Sequence, residues 1–368
     1  MQDESRLRRA GLVPLFLALG VWGWALANPP AEAPAPEPAP EPTPAPEPEV
    51  VEPPPPPPLI LGVDAQPITL LDVDLRVAPL RGLEVAQVLA GEEAAAFNAA
   101  GGAPATSLPL ATGHAEASHG ALRPFCGVAV AATERPDWPE RARVALEACR
   151  DSGARAVFVP RTVGLGVRRE AGGLLSLAHE SLDTLFDTAF ASELVVVIEG
   201  PPPPSHFAPL QGNPDRAFLE AFPSDHFHGA RTDGDAWPTH DAILAALESR
   251  VRRSGGPTLL LVAPGSIPSE RLAGWLNELP GLHVAIDPRD EGAVALLTEH
   301  VGRVMLGSGA VVTPGGVRRR GSTEVEPGLE ALAAEHAAIR AALEDLPPEA
   351  SEAARTGAAD TLLGPARP

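Results

Sequence analysis

The sequence predicts an α/β chain built as a (β/α)8 barrel of TIM type, eight parallel strands joined by helical crossovers. Three observations predict it. From Phe125 to Gly307, short apolar runs alternate with amphipathic stretches, the pattern of a parallel sheet with helical connections. The run Leu194–Glu199 (LVVVIE) is apolar until its last residue, as expected of a strand buried on both faces, and Gly200 and four prolines end it. With two segments upstream, the strands number eight.

The elements follow in order. Arg6, Arg8 and Arg9 precede an apolar run that ends in Ala25-Leu26-Ala27, a small-x-small form, so residues 1–27 read as an export signal. The competing reading is an uncleaved anchor through residues 10–27, since roughly 18 apolar residues are enough to span a bilayer. Residues 28–58 are an Ala/Pro/Glu linker that ends in Pro53–Pro58; they cannot build a core and favour extended polyproline II. The barrel domain is expected over residues 59–364, followed by a tail, 365–368. Its first quarter is irregular: Ile68–Val77 reads as a strand, Val85–Leu89 as a short strand and Gly91–Ala100 as a short helix, with Gly/Ala/Ser/Pro-rich loop through Gly120.

Beyond that the pattern is regular. Strands are expected at Phe125–Ala131, Arg155–Pro160, Leu194–Glu199, Thr258–Ala263, Leu282–Asp287 and Arg303–Gly307. A helix runs from Trp138 to Ser152, with Asp137 as N-cap and Gly153 as its stop. Further helices are expected at Ser181–Phe190, His240–Arg252, Ser269–Leu276 with a serine cap, Gly292–Val301, Pro327–Leu343 and Glu349–Leu363. Residues 206–239 form a long loop with one short helix near Asp215–Ala221.

Composition narrows the function. The net charge is -20, which argues against a nucleic-acid partner, because phosphate binding needs clustered cations. All 28 cationic side chains are arginines, so a Schiff-base lysine and a carbamylated-lysine metal bridge are excluded. The two cysteines, Cys126 and Cys149, fall on a strand and on the apolar face of the next helix; either a disulfide or two buried thiols fits.

Several segments together resemble the amidohydrolase-related family of metal-dependent (β/α)8 hydrolases and decarboxylases. They are GARAVFV (153–159), VVVIEGPPP (195–203), HFAPLQGNPDRAFLEAFP (206–223), LLLVAPGS (259–266), LPGLHVAID (279–287), GRVMLGSG (302–309) and the terminal GAADTLLGP (357–365). The resemblance implies a metal site at the strand C-terminal ends, and this chain departs from it at each position. Asp74 and Arg76 stand at the first-strand His-x-His pair, Glu199 at the fifth-strand histidine and Ala263 at the sixth-strand histidine. Gly309 stands at the last-strand aspartate, Phe158 at the fourth-strand lysine and Ala285 at the seventh-strand aspartate.

A zinc-type site needs three protein ligands and an open position. Asp74 and Glu199 supply two at most, and Arg76 would add a permanent cation. The expectation is a barrel without metal or other cofactor, with Arg76 paired to Asp74, Glu199 or both. The candidate pocket residues are Asp74, Arg76, Glu199, His206, Asp287, Arg289 and Ser308, with none assigned as catalytic or as a metal ligand. His226 and His228 could supply two ligands to a relocated site, although exposed loop histidines are the commoner case. The expected function is an exported, catalytically degenerate barrel, periplasmic, envelope-tethered or secreted, that binds a small-molecule or protein ligand. The alternative is a Zn- or Mn-dependent hydrolase or decarboxylase with a rebuilt active site.

Overall fold

The computed structural model describes residues 61–65, 87–89, 122–127, 130, 133–151, 153–169, 172–231, 235–262, 265–287, 289–313, 316–318, 325–326, 341–354 and 358–363. The chain divides into two units, Met1–Pro53 and Pro54–Pro368, and every described residue lies in the second. The expected strand Ile68–Val77, the helix Gly91–Ala100, the leader and most of Pro327–Leu343 lie outside the described residues; of the last, residues 341–344 are helical.

The strands are β1 (Leu61–Ala65), β2 (Gln87–Leu89), β3 (Leu122–Gly127), β4 (Ala156–Val159), β5 (Val195–Glu199), β6 (Thr258–Leu261), β7 (Leu282–Ile286) and β8 (Val304–Thr313). Each of β2 to β7 pairs in parallel with the next in sequence, and β8 also pairs in parallel with β1. Two short strands, β9 (Gly316–Arg318) and β10 (Val325–Glu326), extend β8 as an antiparallel meander. The strand beside β8 is therefore Leu61–Ala65, upstream of the segment expected to hold that place.

Helices α1 (Trp138–Asp151), α2 (Asp183–Ala191), α4 (His240–Arg253), α5 (Ser269–Glu278) and α6 (Ala293–Glu299) follow β3 to β7 in turn, with α3 (Arg216–Ala221) inside the long β5–α4 loop. Of the expected Glu349–Leu363 helix, α7 (Pro348–Glu352) and α8 (Ala358–Leu363) are described, and residues 355–357 between them lie outside the described residues. Alternation along the strands splits the core into two apolar layers. Val157, Val196, Ile198, Leu260 and Val284 pack with the helices. Phe158, Val197, Leu259, Ala285 and Met305 pack with one another, joined by Ala358 and Leu363 of α8. The inner face is thus filled by side chains up to the strand ends.

Local chemistry explains the helix limits. Trp138, Ala142, Leu146 and Cys149 give α1 one buried stripe, and Gly153, at φ 86°, stops it while Ala154 N–H donates to the Cys149 carbonyl at 3.1 Å. Thr239 caps α4, its hydroxyl accepting from Ala242 N–H at 3.2 Å. The serine cap expected for α5 is not made: Pro268 is the N-cap, and the Ser269 hydroxyl instead donates to the Glu291 carbonyl. Cys149 is fully buried and disulfide-bonded, and the chain has only one other cysteine, Cys126 on β3. Among the described residues no helix is long and apolar enough to cross a membrane.

One buried charge ties α4 to α2. Arg250 is 1% exposed. Its Nε donates to the Leu177 carbonyl at 2.7 Å, Nη1 to Asp183 Oδ1 at 2.6 Å and Nη2 to the His179 carbonyl at 2.6 Å. Its guanidinium lies 4.7 Å from the Phe186 ring centroid.

Candidate functional site

Val195 and Val197 of β5 face the inner layer, and Glu199 is next, the first polar group on that side of β5. Gly200 must be glycine. Its N–H donates to the Leu261 carbonyl at 2.7 Å, and a Cβ there would lie 2.6 Å from that same oxygen. The close approach fixes the end of β5 against β6 and so aims Glu199. Gly200→Ala is expected to cost about 2 kcal/mol or more through overpacking, read as a lowered thermal midpoint.

Glu199 is held by Arg161, two residues past the end of β4. The Arg161 backbone N–H donates to Glu199 Oε2 at 2.9 Å, and its Nε lies 3.5 Å from Oε1. The same guanidinium donates through Nη2 to Asp225 Oδ1 at 3.0 Å. A cation thus bridges two partly buried carboxylates. The sequence reading assigned this role to Arg76, which with Asp74 lies outside the described residues. Arg161 and Asp225 were not anticipated. The signal that singled out Glu199, a charged residue just beyond a buried strand, applies equally to Arg161 after Phe158-Val159-Pro160.

His206 joins this group. It is buried, its carbonyl accepts from Phe227 N–H at 2.8 Å, and its ring packs 5.5 Å from that of Phe218. Its Nδ1 is buried with no hydrogen-bond partner. Burial lowers the imidazole pKa from its ordinary 6.5; the Asp225 and Asp215 carboxylates oppose this and Arg161 reinforces it. Burial likewise lowers His240, His283 and His300. Such groups are neutral in folded and unfolded chains above about pH 6.5. Below it the unfolded chain takes protons that the native state refuses, so stability falls until the lowered native pKa values are passed. The urea midpoint is expected to drop between pH 7.5 and 5, and His206→Gln should flatten that profile.

The other expected residues separate. Asp287 follows Ala285 on the inner side of β7 and is 4% exposed. It accepts from Arg289 N–H at 2.9 Å and Nε at 2.8 Å, and also from Nη2, so the two form a local ion pair. Ser308 and Gly309 lie on β8, and Ala263 lies outside the described residues. Phe158 and Ala285 are buried in the inner layer. His226 Nε2 lies 2.9 Å from the Ala208 carbonyl and His228 Nδ1 3.1 Å from that of Phe207, with the rings stacked at 5.9 Å. These two histidines brace the β5–α4 loop. Among the described residues, no three His, Cys, Asp or Glu side chains converge where a metal could sit.

A cavity of about 890 Å³ opens between the β5–α4 loop, the start of α4 and the β6–α5 loop. It shares no lining residue with the Glu199–Arg161–Asp225 group. Its walls include Phe207, Phe227 and Trp237 together with His240, Asp241 and Arg271.

No protein-family model matches the chain, and no curated protein matches it. Among solved structures it is similar to a candidate 2-pyrone-4,6-dicarboxylic acid hydrolase from Pseudomonas putida, with a TM-score of 0.45 and 11% identity over 84% of this chain and 97% of that one.

Proposed function

We propose that residues 59–364 close into a (β/α)8 barrel of amidohydrolase-related type that binds a ligand outside the cytoplasm and performs no metal-dependent chemistry. Closure is supported by the pairing of β1 with β8 and of β2 with β3, and by Cα atoms of β1 and β2 within 8 Å of each other. The observation that carries the functional reading is the Arg161 grip on Glu199. Glu199 holds the place of the family's fifth-strand metal ligand. With a backbone donor on one oxygen and a guanidinium facing the other, it is poorly placed to take a divalent ion, and the permanent cation repels one. The residues present therefore do not fit a metal centre of the family's kind. Gly309, in place of the last-strand aspartate, offers no general base.

Export is supported by the leader and by the disulfide at Cys149, which suits an oxidising compartment. Residues 10–27 would tether the protein to the envelope if the leader is retained. Elemental analysis of purified protein tests the metal-free reading. The expected result is no stoichiometric zinc or manganese. Full occupancy by either, abolished by Glu199→Gln, would sink the reading.

A second reading, a hydrolase or decarboxylase with a rebuilt site, draws on His206. A neutral imidazole with an unpartnered nitrogen beside Asp225 is suited to accept a proton. Turnover of an ester, lactone or carboxylic acid that His206→Gln abolishes without unfolding the protein would favour it.

A further inference from the structure

The 890 Å³ cavity has the size and mixed lining of a small-molecule site, and its polar groups define what would fit. Phe207 and Phe227 lie 5.4 Å apart and tilted, and Trp237 stands edge-on to Phe227 at 5.2 Å, so one wall is a continuous aromatic surface. Two formal charges of opposite sign share the same space. Asp241, in the first turn of α4, makes no salt bridge among the described residues. Arg271, on α5, is ion-paired through Nη2 with Glu248 Oε2, whose other oxygen Arg252 holds, and it lies 5.4 Å over Trp275, so its remaining N–H groups are the donors left for a ligand. It is a rigid donor at the wall.

These features discriminate among ligands. A neutral apolar molecule would leave the exposed Asp241 and the half-buried Arg271 unanswered. A simple anion meets Asp241, and a simple cation meets Arg271. A molecule carrying both charges satisfies both walls.

Resting on the reading of the barrel as a binding domain, we propose that this cavity binds an apolar zwitterion, an amino acid or dipeptide with an aromatic side chain. Its ammonium sits at Asp241, its carboxylate at Arg271, and its side chain lies on Phe207, Phe227 and Trp237. Planar N–H pairs of an arginine suit the carboxylate, and the aromatic wall suits a ring.

Calorimetric titration of the full chain with L-phenylalanine and L-phenylalanyl-L-phenylalanine tests this, alongside phenethylamine and 3-phenylpropionate, which each keep one charge. At least one zwitterion is expected to bind, with both single-charge analogues at least tenfold weaker. Asp241→Asn, at an exposed position, and Arg271→Gln should each weaken the zwitterion at least tenfold, while Glu140→Gln, on the solvent side of α1, leaves it unchanged. Equal binding of either single-charge analogue, or no binding of either zwitterion at millimolar concentration, overturns the proposal. Metal content measured on the same preparation keeps the two readings apart. Bound metal with zwitterion binding intact refutes only the metal-free reading, and metal-free protein that ignores both zwitterions refutes only this one.

Discussion

Replacing Arg250 with alanine is expected to destabilise the protein by about 3 kcal/mol, the scale of orphaning buried acceptors and opening a void. Two backbone carbonyls, of Leu177 and His179, lose the donor they face, and a cavity opens beside Phe186. Asp183 is less affected, because its side chain is 46% exposed and can turn to water. Arg250→Lys should recover only part of the loss: an ammonium cannot reach three acceptors spread in the plane of a fork. The measurement is the urea midpoint of each variant at fixed pH. A loss below about 1 kcal/mol for the alanine variant would mean the network contributes little.

The second large effect is on the disulfide. Opening the bond at Cys149 frees a loop of roughly 24 residues in the unfolded chain, worth about 3 kcal/mol in the chain-entropy picture. Cys149→Ala or a strong reductant should lower the thermal midpoint, and the two treatments should not add. Cys149 is fully buried, so reduction is expected to be slow in the native state and to accelerate in mild denaturant. An unchanged midpoint after verified reduction would remove the support that the bond lends to an oxidising compartment.

Much of the fold was legible because the inner and outer layers are both covered, which writes each central strand as an unbroken apolar run. β5 ended at Glu199 as its prolines require. The strand beside β8 was not read from the sequence: ITLLDVDLRV, outside the described residues, is longer and more strand-like than LGVDA, but β1 needs only a few residues to pair with β8. The β9–β10 extension was missed because no strand was expected after Gly307. The site was half legible. A lone carboxylate at a strand end stands out in an apolar context. The arginine that grips it resembles any of the solvated cations of an arginine-only chain, and Asp225 is brought to it by a loop whose path no periodicity encodes.

The pairing of Leu61 with Gly307 sets an order of events. β1 cannot find its partner β8 until nearly the whole domain has left the ribosome. Completion of the sheet is a late, non-local step, the kind that slows folding and invites strand exchange between copies. A protein truncated before β8 should therefore aggregate through β1 and not simply unfold, and a permutant in which β1 follows the C-terminal helices, which supply the crossover that parallel neighbours need, should mature faster than the native chain.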